Sequence, residues 1–140
     1  MKWFIKFFKK FLDFNGRSGR REYWMSILFN IIIYLTLLIL YIILFSFYFP
    51  ATLLSGKIVG SIVAYSIVLI YVISILYSLL TFIPLLAISV RRLHDVGYSG
   101  FFLLLSLVPL FGIIILLVLF SKDSQPGKNK WGNNPKEKFN

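Results

Sequence analysis

The sequence predicts an all-α integral membrane helical bundle. It has three hydrophobic segments, the third a full span or re-entrant, preceded by an amino-terminal interfacial amphipathic helix. Three observations carry this. The 140 residues are 59% hydrophobic and only 14% charged, whereas soluble domains run near about 45–50% apolar and about 25% charged. Charge is absent from Tyr23 to Gly56, from Ile58 to Val90 and from Val96 to Ser121, and uncharged apolar runs of about 18 residues or more are candidates to cross a bilayer. The remaining charge is lopsided, with 15 Lys/Arg against 5 Asp/Glu and a net +10. Mean hydropathy is +0.84 and cysteine is absent. Together these exclude a soluble enzyme, a disordered tail and a disulfide-stapled secreted module, and they fit one membrane domain over residues 1–140.

At residues 1–15, Trp3, Phe4, Phe7, Phe8 and Phe11 recur at helical spacing while Lys2, Lys6, Lys9, Lys10 and Asp13 take the other side. That is the pattern of a helix lying in the membrane interface, aromatic face in the acyl boundary and lysines toward anionic headgroups. No separate apolar block leads to a small-residue cleavage site, so it does not read as a signal peptide. Gly16 and Gly19 then let the chain turn from lying flat to crossing. The first span covers 24–47 and is expected to end before Pro50, with Trp3, Tyr23 and Trp24 as interface anchors. The second, 58–86, has 29 residues and would be about 43 Å long as one helix. That exceeds a core of about 30 Å, but two spans and a turn would need about 40 residues. One tilted helix kinked at Pro84 and continuing toward Arg91–Asp95 fits better. Gly56, Gly60 and Ala64 give it small-xxx-small spacing for close approach of a neighbour, either the first helix or a second copy.

The third segment, 101–120, has the length to cross once, but Pro109 and Gly112 interrupt it. Seven basic residues before the first span against Lys57 alone after it place the amino terminus in the cytoplasm. A full third span would then put the five lysines of the 121–140 tail outside, against the positive-inside rule. A break at 108–112 would keep them inside. Both topologies stand.

Two polar clusters flank the spans. Arg17, Arg20 and Glu22 precede the first. Arg91, Arg92, His94 and Asp95 follow the second, with Arg91 and Asp95 at pairing distance on a helix. Arginine forks suit phosphate and carboxylate, so these seven residues are the candidate lipid- or partner-binding set. His94 is the only histidine; neither a metal site nor a nucleophile–base–orienter set is complete. The expectation is therefore no catalytic residue, no metal and no cofactor. Tyr and Ser stripes within the spans (Asn30, Tyr34, Tyr41 and Tyr48; Tyr71, Ser74, Ser78 and Thr81) could line a polar path, though such groups more often bond their own turn or glue helices together. The tail, rich in Gly and Asn around Trp131, reads as a floppy basic end or as a short ordered turn against the headgroups or the Arg91–Asp95 loop.

Three motifs together resemble a bacterial inner-membrane family known as domain of unknown function 805. They are Phe14-x-Gly16-Arg17-x-x-Arg20-x-Glu22-Tyr23-Trp24, then Arg91-Arg92-Leu93-His94-Asp95-x-Gly97-x-Ser99-Gly100 with Pro109-x-x-Gly112, and Gly127-x-Asn129-x-Trp131-Gly132-x-Asn134-Pro135. Phe101 and Phe102 stand where that family often has tryptophan, and Asn134 where it usually has Asp. The resemblance implies a multi-pass plasma-membrane (inner-membrane) protein and supplies no activity or cofactor. Read with the residues, it points to a small non-enzymatic membrane protein whose interface cluster binds anionic lipid or a protein partner. A second copy of the chain is a further candidate partner, and nucleic acid is not expected. A small transporter or channel component is the alternative, and an enzyme acting on lipid headgroups through His94 and Asp95 is the third reading. Under the re-entrant topology all three motifs would meet on one side.

Overall fold

The computed structural model describes residues 2–54 and 56–136. In order these form α1 (Lys2–Lys9), α2 (Arg20–Leu54), α3 (Gly56–Asp95), a 3-10 helix (Gly100–Leu107) and α4 (Phe111–Ser121). The chain divides into two compact units: residues 28–81 form one, and the flanking segments up to Ile27 and from Phe82 onward form the other.

Two helical stretches, Arg20–Tyr48 and Lys57–Asp95, are long and apolar enough to cross a membrane. α2 does not stop before Pro50, as the sequence suggested, but runs through it to Leu54. A proline costs one backbone bond, whereas ending a helix among apolar residues leaves several carbonyls unsatisfied where no water can reach them. α3 likewise carries Pro84 in its interior and continues to Asp95.

Within the 28–81 unit the two helices are joined by polar side chains. Tyr77 donates to Asn30 Oδ1 at 2.7 Å, and the Tyr34 and Thr81 hydroxyls lie 3.2 Å apart. The Tyr34 and Tyr77 rings meet edge-on at 5.2 Å. At the other end of the pair a Cβ on Gly60 would overlap the Thr52 side chain and come within 3.2 Å of its Cα. Gly60 thus admits the close approach of Thr52 in α2. Ala64 is half-buried, and Gly56 opens α3 with its packing outside the described residues. Ser74 and Ser78, like Thr36, Ser46, Ser61 and Ser66, bond carbonyls of their own preceding turn, the usual fate of a hydroxyl in an apolar helix.

The other unit has its own core: Phe7, Tyr23, Ile88, Leu93, Leu116, Leu119 and Phe120. Two expectations change here. Phe7 is 1% exposed, so the aromatic face of α1 packs partly on protein, leaving Ile5, Phe11, Leu12 and Phe14 as the exposed large apolar residues described before Gly16. Tyr23 is buried on protein rather than open to its surroundings, its ring 4.7 Å from that of Phe120. In both cases α4 and the last turns of α3 supply an apolar surface that sequence spacing could not place beside them. Trp24 keeps an exposed edge, and Trp3 is half-buried.

The third hydrophobic segment folds as a hairpin. Its first arm is the 3-10 helix, capped by Ser99 Oγ accepting from Phe101 N–H. Its second arm is α4. Between them Leu110 takes a positive φ of 61°, a conformation that costs a branched residue energy and persists because the reversal fixes it. Gly112 makes the closure possible: any Cβ there would overlap the Leu105 carbonyl of the opposite arm. Eight residues at about 2 Å and eleven at about 1.5 Å each give arms of roughly 16 Å, half of a hydrocarbon core. Both ends return to one place. Tyr98 N–H donates to Leu93 O at 2.9 Å, and Lys122 O accepts from Arg92.

Candidate functional site

The three polar motifs converge in the unit built on this second core, and Asp95 is their hub. Its side chain is fully buried. Oδ1 accepts from Arg17 Nε at 3.0 Å; Oδ2 accepts from Arg92 Nη1 and from Ser124 Oγ, the latter at 2.6 Å. Its carbonyl accepts from Gln125 N–H at 2.9 Å. The Arg17 and Arg92 side chains are 1% and 0% exposed. Two guanidinium groups can be buried here because each is both paired and hydrogen-bonded.

Their remaining donors hold the tail. Arg17 Nη1 donates to the carbonyls of Gly127 and Gly132 at 2.7 and 3.3 Å, and Nη2 to that of Gln125 at 2.6 Å. Arg92 donates from Nε to Phe120 O at 3.0 Å and from Nη2 to Lys122 O. The tail segment 122–136 is almost wholly irregular, so its carbonyls lack helix or sheet partners, and planar guanidinium forks supply several donors at once. A turn closed by mutual backbone bonds between Asn129 and Gly132 presents Trp131. Its indole stacks on His94 at 4.4 Å and 11° between planes, while Asn129 Nδ2 donates to His94 O at 2.9 Å. Asn134 is buried: its amide donates to Gln125 O at 3.3 Å, and its oxygen accepts from Lys136 N–H at 3.0 Å. A carboxylate there would keep only the second bond.

The pairing expected between Arg91 and Asp95 does not form, because Asp95 is taken by Arg92 and Arg17. Arg91, 2% exposed, turns instead to the segment that follows α1. It donates from Nη1 to Lys10 O at 3.1 Å and Asp13 O at 2.7 Å, while its own carbonyl accepts from Ser18 N–H at 3.1 Å. Glu22 is buried and accepts from Lys6 Nζ at 2.6 Å. Arg20 pairs with Asp123 at 2.6 Å, and Asp123 also binds Lys136. The Lys10 ammonium holds the Asp13 carboxyl below its ordinary range, and Lys136 does the same for Asp123. All seven sequence-selected residues therefore lie in one unit. Arg17 and Arg92, however, direct their forks inward at the chain's own carbonyls. The sequence did not signal Ser124 or Gln125, whereas the Trp131 turn seats on His94 of the Arg91–Asp95 segment, one of the placements its Gly- and Asn-rich surroundings suggested. Among the described residues no three of His, Cys, Asp and Glu gather as a metal site.

Two clefts open beside the cluster. One, of about 390 Å³, is lined by Trp3, Lys6, Lys10, Arg17, Glu22, Arg91 and Trp131 among others. The second, of about 380 Å³, is lined by Arg20, Arg21 and Lys136 among others and shares Trp3, Glu22 and Pro135 with the first.

The family model described as "Protein of unknown function (DUF805)" matches residues 11–133, a range that holds all but the last two residues of the three motifs. Two curated Escherichia coli K12 proteins align over 136 residues. Inner membrane protein YhaI is 36% identical over 97% of this chain and 97% of its own length. Inner membrane protein YhaH is 33% identical over 97% of this chain and 98% of its own. No solved structure matches. Matched over most of its length by the family and end to end by these relatives, the chain belongs to the DUF805 family of proteins of unknown function.

Proposed function

We propose that this chain is a small, non-catalytic integral protein of the bacterial inner membrane whose cation-rich face binds anionic lipid. One observation carries the reading. Every carboxylate among the described residues already has a cation: Asp13 has Lys10, Glu22 has Lys6, Asp95 has Arg17 and Arg92, and Asp123 has Arg20 and Lys136. Lys9, Arg21, Lys122 and Lys128 remain exposed with no acidic partner among those residues. Arg21 and Lys122 border the ends of uncharged apolar stretches, where lipid phosphates lie and would neutralise them. The names of the relatives support the location. The hairpin supports a re-entrant third segment: with the amino terminus cytoplasmic, the tail bound to Arg17 and Arg92 would be cytoplasmic too, and the positive-inside rule would hold for every basic island but Lys57.

Lipid binding is tested by titrating the detergent-solubilised protein with anionic or zwitterionic phospholipid and following thermal unfolding, because a ligand of the folded state raises its stability. Anionic lipid is expected to stabilise more, less so at high salt and less so in the Lys9→Gln/Lys122→Gln/Lys128→Gln variant. Equal stabilisation by both lipids would overturn the reading. Carboxy-terminal fusions to alkaline phosphatase and to a fluorescent protein test the topology: fluorescence without phosphatase activity is expected, and phosphatase activity would refute it.

A further inference from the structure

We infer that the cleft between α1 and the tail is a specific seat for one monoanionic phosphodiester, an assignment that rests on the anion-binding reading of this face and gives it a defined ligand group. Three features converge. The first is charge. Lys6, Lys10, Arg17 and Arg91 line the cleft against the single carboxylate of Glu22. Counting also Asp13 and Asp95, which pair with Lys10 and Arg17, and Arg92, the second partner of Asp95, the set keeps a surplus of two positive charges. One phosphodiester carries one negative charge and is accommodated within that surplus.

The second is the division of labour among the cations. Arg17 and Arg91 are buried and fixed by bonds to backbone carbonyls, so they form a stationary positive wall. Lys6 and Lys10 are 41% and 45% exposed at the side chain and can swing. Each ammonium has three donors and uses one on Glu22 or Asp13, leaving others for a phosphate oxygen without abandoning its carboxylate. Arg91 Nε, buried and without a hydrogen-bond partner, adds unsatisfied positive character to the wall.

The third is shape and surroundings. The cleft volume of about 390 Å³ falls in the range of small-ligand sites, about 300–1,000 Å³. It admits a phosphate with a glycerol on it and leaves no room for acyl chains. Trp3 and Trp131 line it, rings suited to the boundary between headgroup and chain. Ile5, Phe11 and Leu12 on the segment that carries Lys6 and Lys10 are exposed and apolar, so a chain attached to the bound phosphate has a surface to follow.

The test uses the full-length protein in zwitterionic detergent and two probes: dimyristoyl phosphatidylglycerol and its water-soluble headgroup analogue, glycerophosphoglycerol. Native mass spectrometry reads stoichiometry, and tryptophan emission reads affinity. One lipid per chain is expected. Lys6→Gln/Lys10→Gln should weaken it by about tenfold or more, the scale of losing charge-assisted bonds, while Lys57→Gln, an exposed lysine of the other unit, changes it less than twofold. Thermal unfolding of each variant shows that it is folded, and Lys10→Gln alone, which leaves Glu22 paired, gives a second and milder variant that should fall between. Saturable binding of both probes supports the seat and identifies a free phosphodiester as sufficient; binding of the lipid alone supports it and identifies the membrane as the source. If anionic lipid stabilises the protein yet the folded cleft variants bind as wild type, the seat is overturned and the broader surface reading survives. If neither probe binds and anionic lipid confers no stabilisation, both fall.

Discussion

Replacing Asp95 by Asn is the sharpest perturbation of the cluster. The change preserves shape and an oxygen for Arg92 or Ser124, but it removes the charge between two guanidinium groups whose side chains are 1% and 0% exposed. It also turns an NH2 toward one of them, donor against donor. Removing one partner of a buried ion pair costs about 3–5 kcal/mol because the other charge is left uncompensated. Here two charges lose their partner, and the retained oxygen returns part of the loss, so about 3 kcal/mol is the expected lower bound. That corresponds to roughly a hundredfold fall in the folded-to-unfolded ratio.

The loss should appear first as local opening of the tail, since Arg17 and Arg92 hold it and local units open before the whole. In a Trp3→Phe/Trp24→Phe background Trp131 is the sole tryptophan, and its stack on His94 makes its emission a readout of docking. Asp95→Asn should shift that emission toward the solvent-exposed value well below the main unfolding transition and render Lys128 and Lys130 sensitive to trypsin. Adding Arg17→Gln should recover part of the loss, because one unpaired charge is then removed as well. A variant with wild-type emission, trypsin resistance and unfolding temperature would refute the hub.

Gly112→Ala should destabilise the hairpin by about 1–3 kcal/mol, the scale of overpacking, through the overlap of its Cβ with the Leu105 carbonyl; thermal unfolding in detergent checks this, and an unchanged midpoint would mean the arms do not approach closely. Tyr77→Phe removes the bond to Asn30 and should cost about 1 kcal/mol, the scale of interhelical bonds in membranes, visible in the same assay. Because the folded-state pKa of Asp13 is depressed, chiefly by Lys10, its stabilising contribution is complete above the unfolded value of about 3.9 and is lost as pH falls through the lower folded value. Asp13→Asn should remove that part of the acid destabilisation between pH 5 and pH 2, and an identical acid profile in the variant would count against the ion pair.

Much of the architecture was legible in the sequence because membrane helices announce themselves one segment at a time. An uncharged stretch is a local property, so the two long helices and the interruption at Pro109 and Gly112 could be placed without knowing their neighbours. The ends were less legible. α2 passes Pro50 because the penalty of one lost bond is weighed against an apolar surrounding that proline rules for soluble helices do not consider. The partners within the cluster were least legible. Helical spacing pairs Arg91 with Asp95, but Asp95 chose Arg92 three residues away and Arg17 seventy-eight residues away. Phe7 and Tyr23, reasonable interface residues by type, were drawn inward by Phe120 and its neighbours.

The basic residues divide by what they face. A tail without regular structure exposes carbonyls that must find donors, and Gly127 and Gly132, both at positive φ, turn two of them toward Arg17. Arg92 likewise covers the carbonyls that end α4. The sequence cluster that invites an anion is thus, for these two arginines, already answered by the protein's own backbone and by Asp95. An external anion would have to break several charge-assisted bonds in a buried site to engage them, and nothing it offers exceeds what they hold. Lysines 6 and 10 face a different situation: their carboxylate partners are reached from partly exposed positions, where an ion pair contributes little, and they retain donors. In the proposed seat recognition would therefore fall to Lys6 and Lys10, with the buried arginines fixing the potential in which those lysines act.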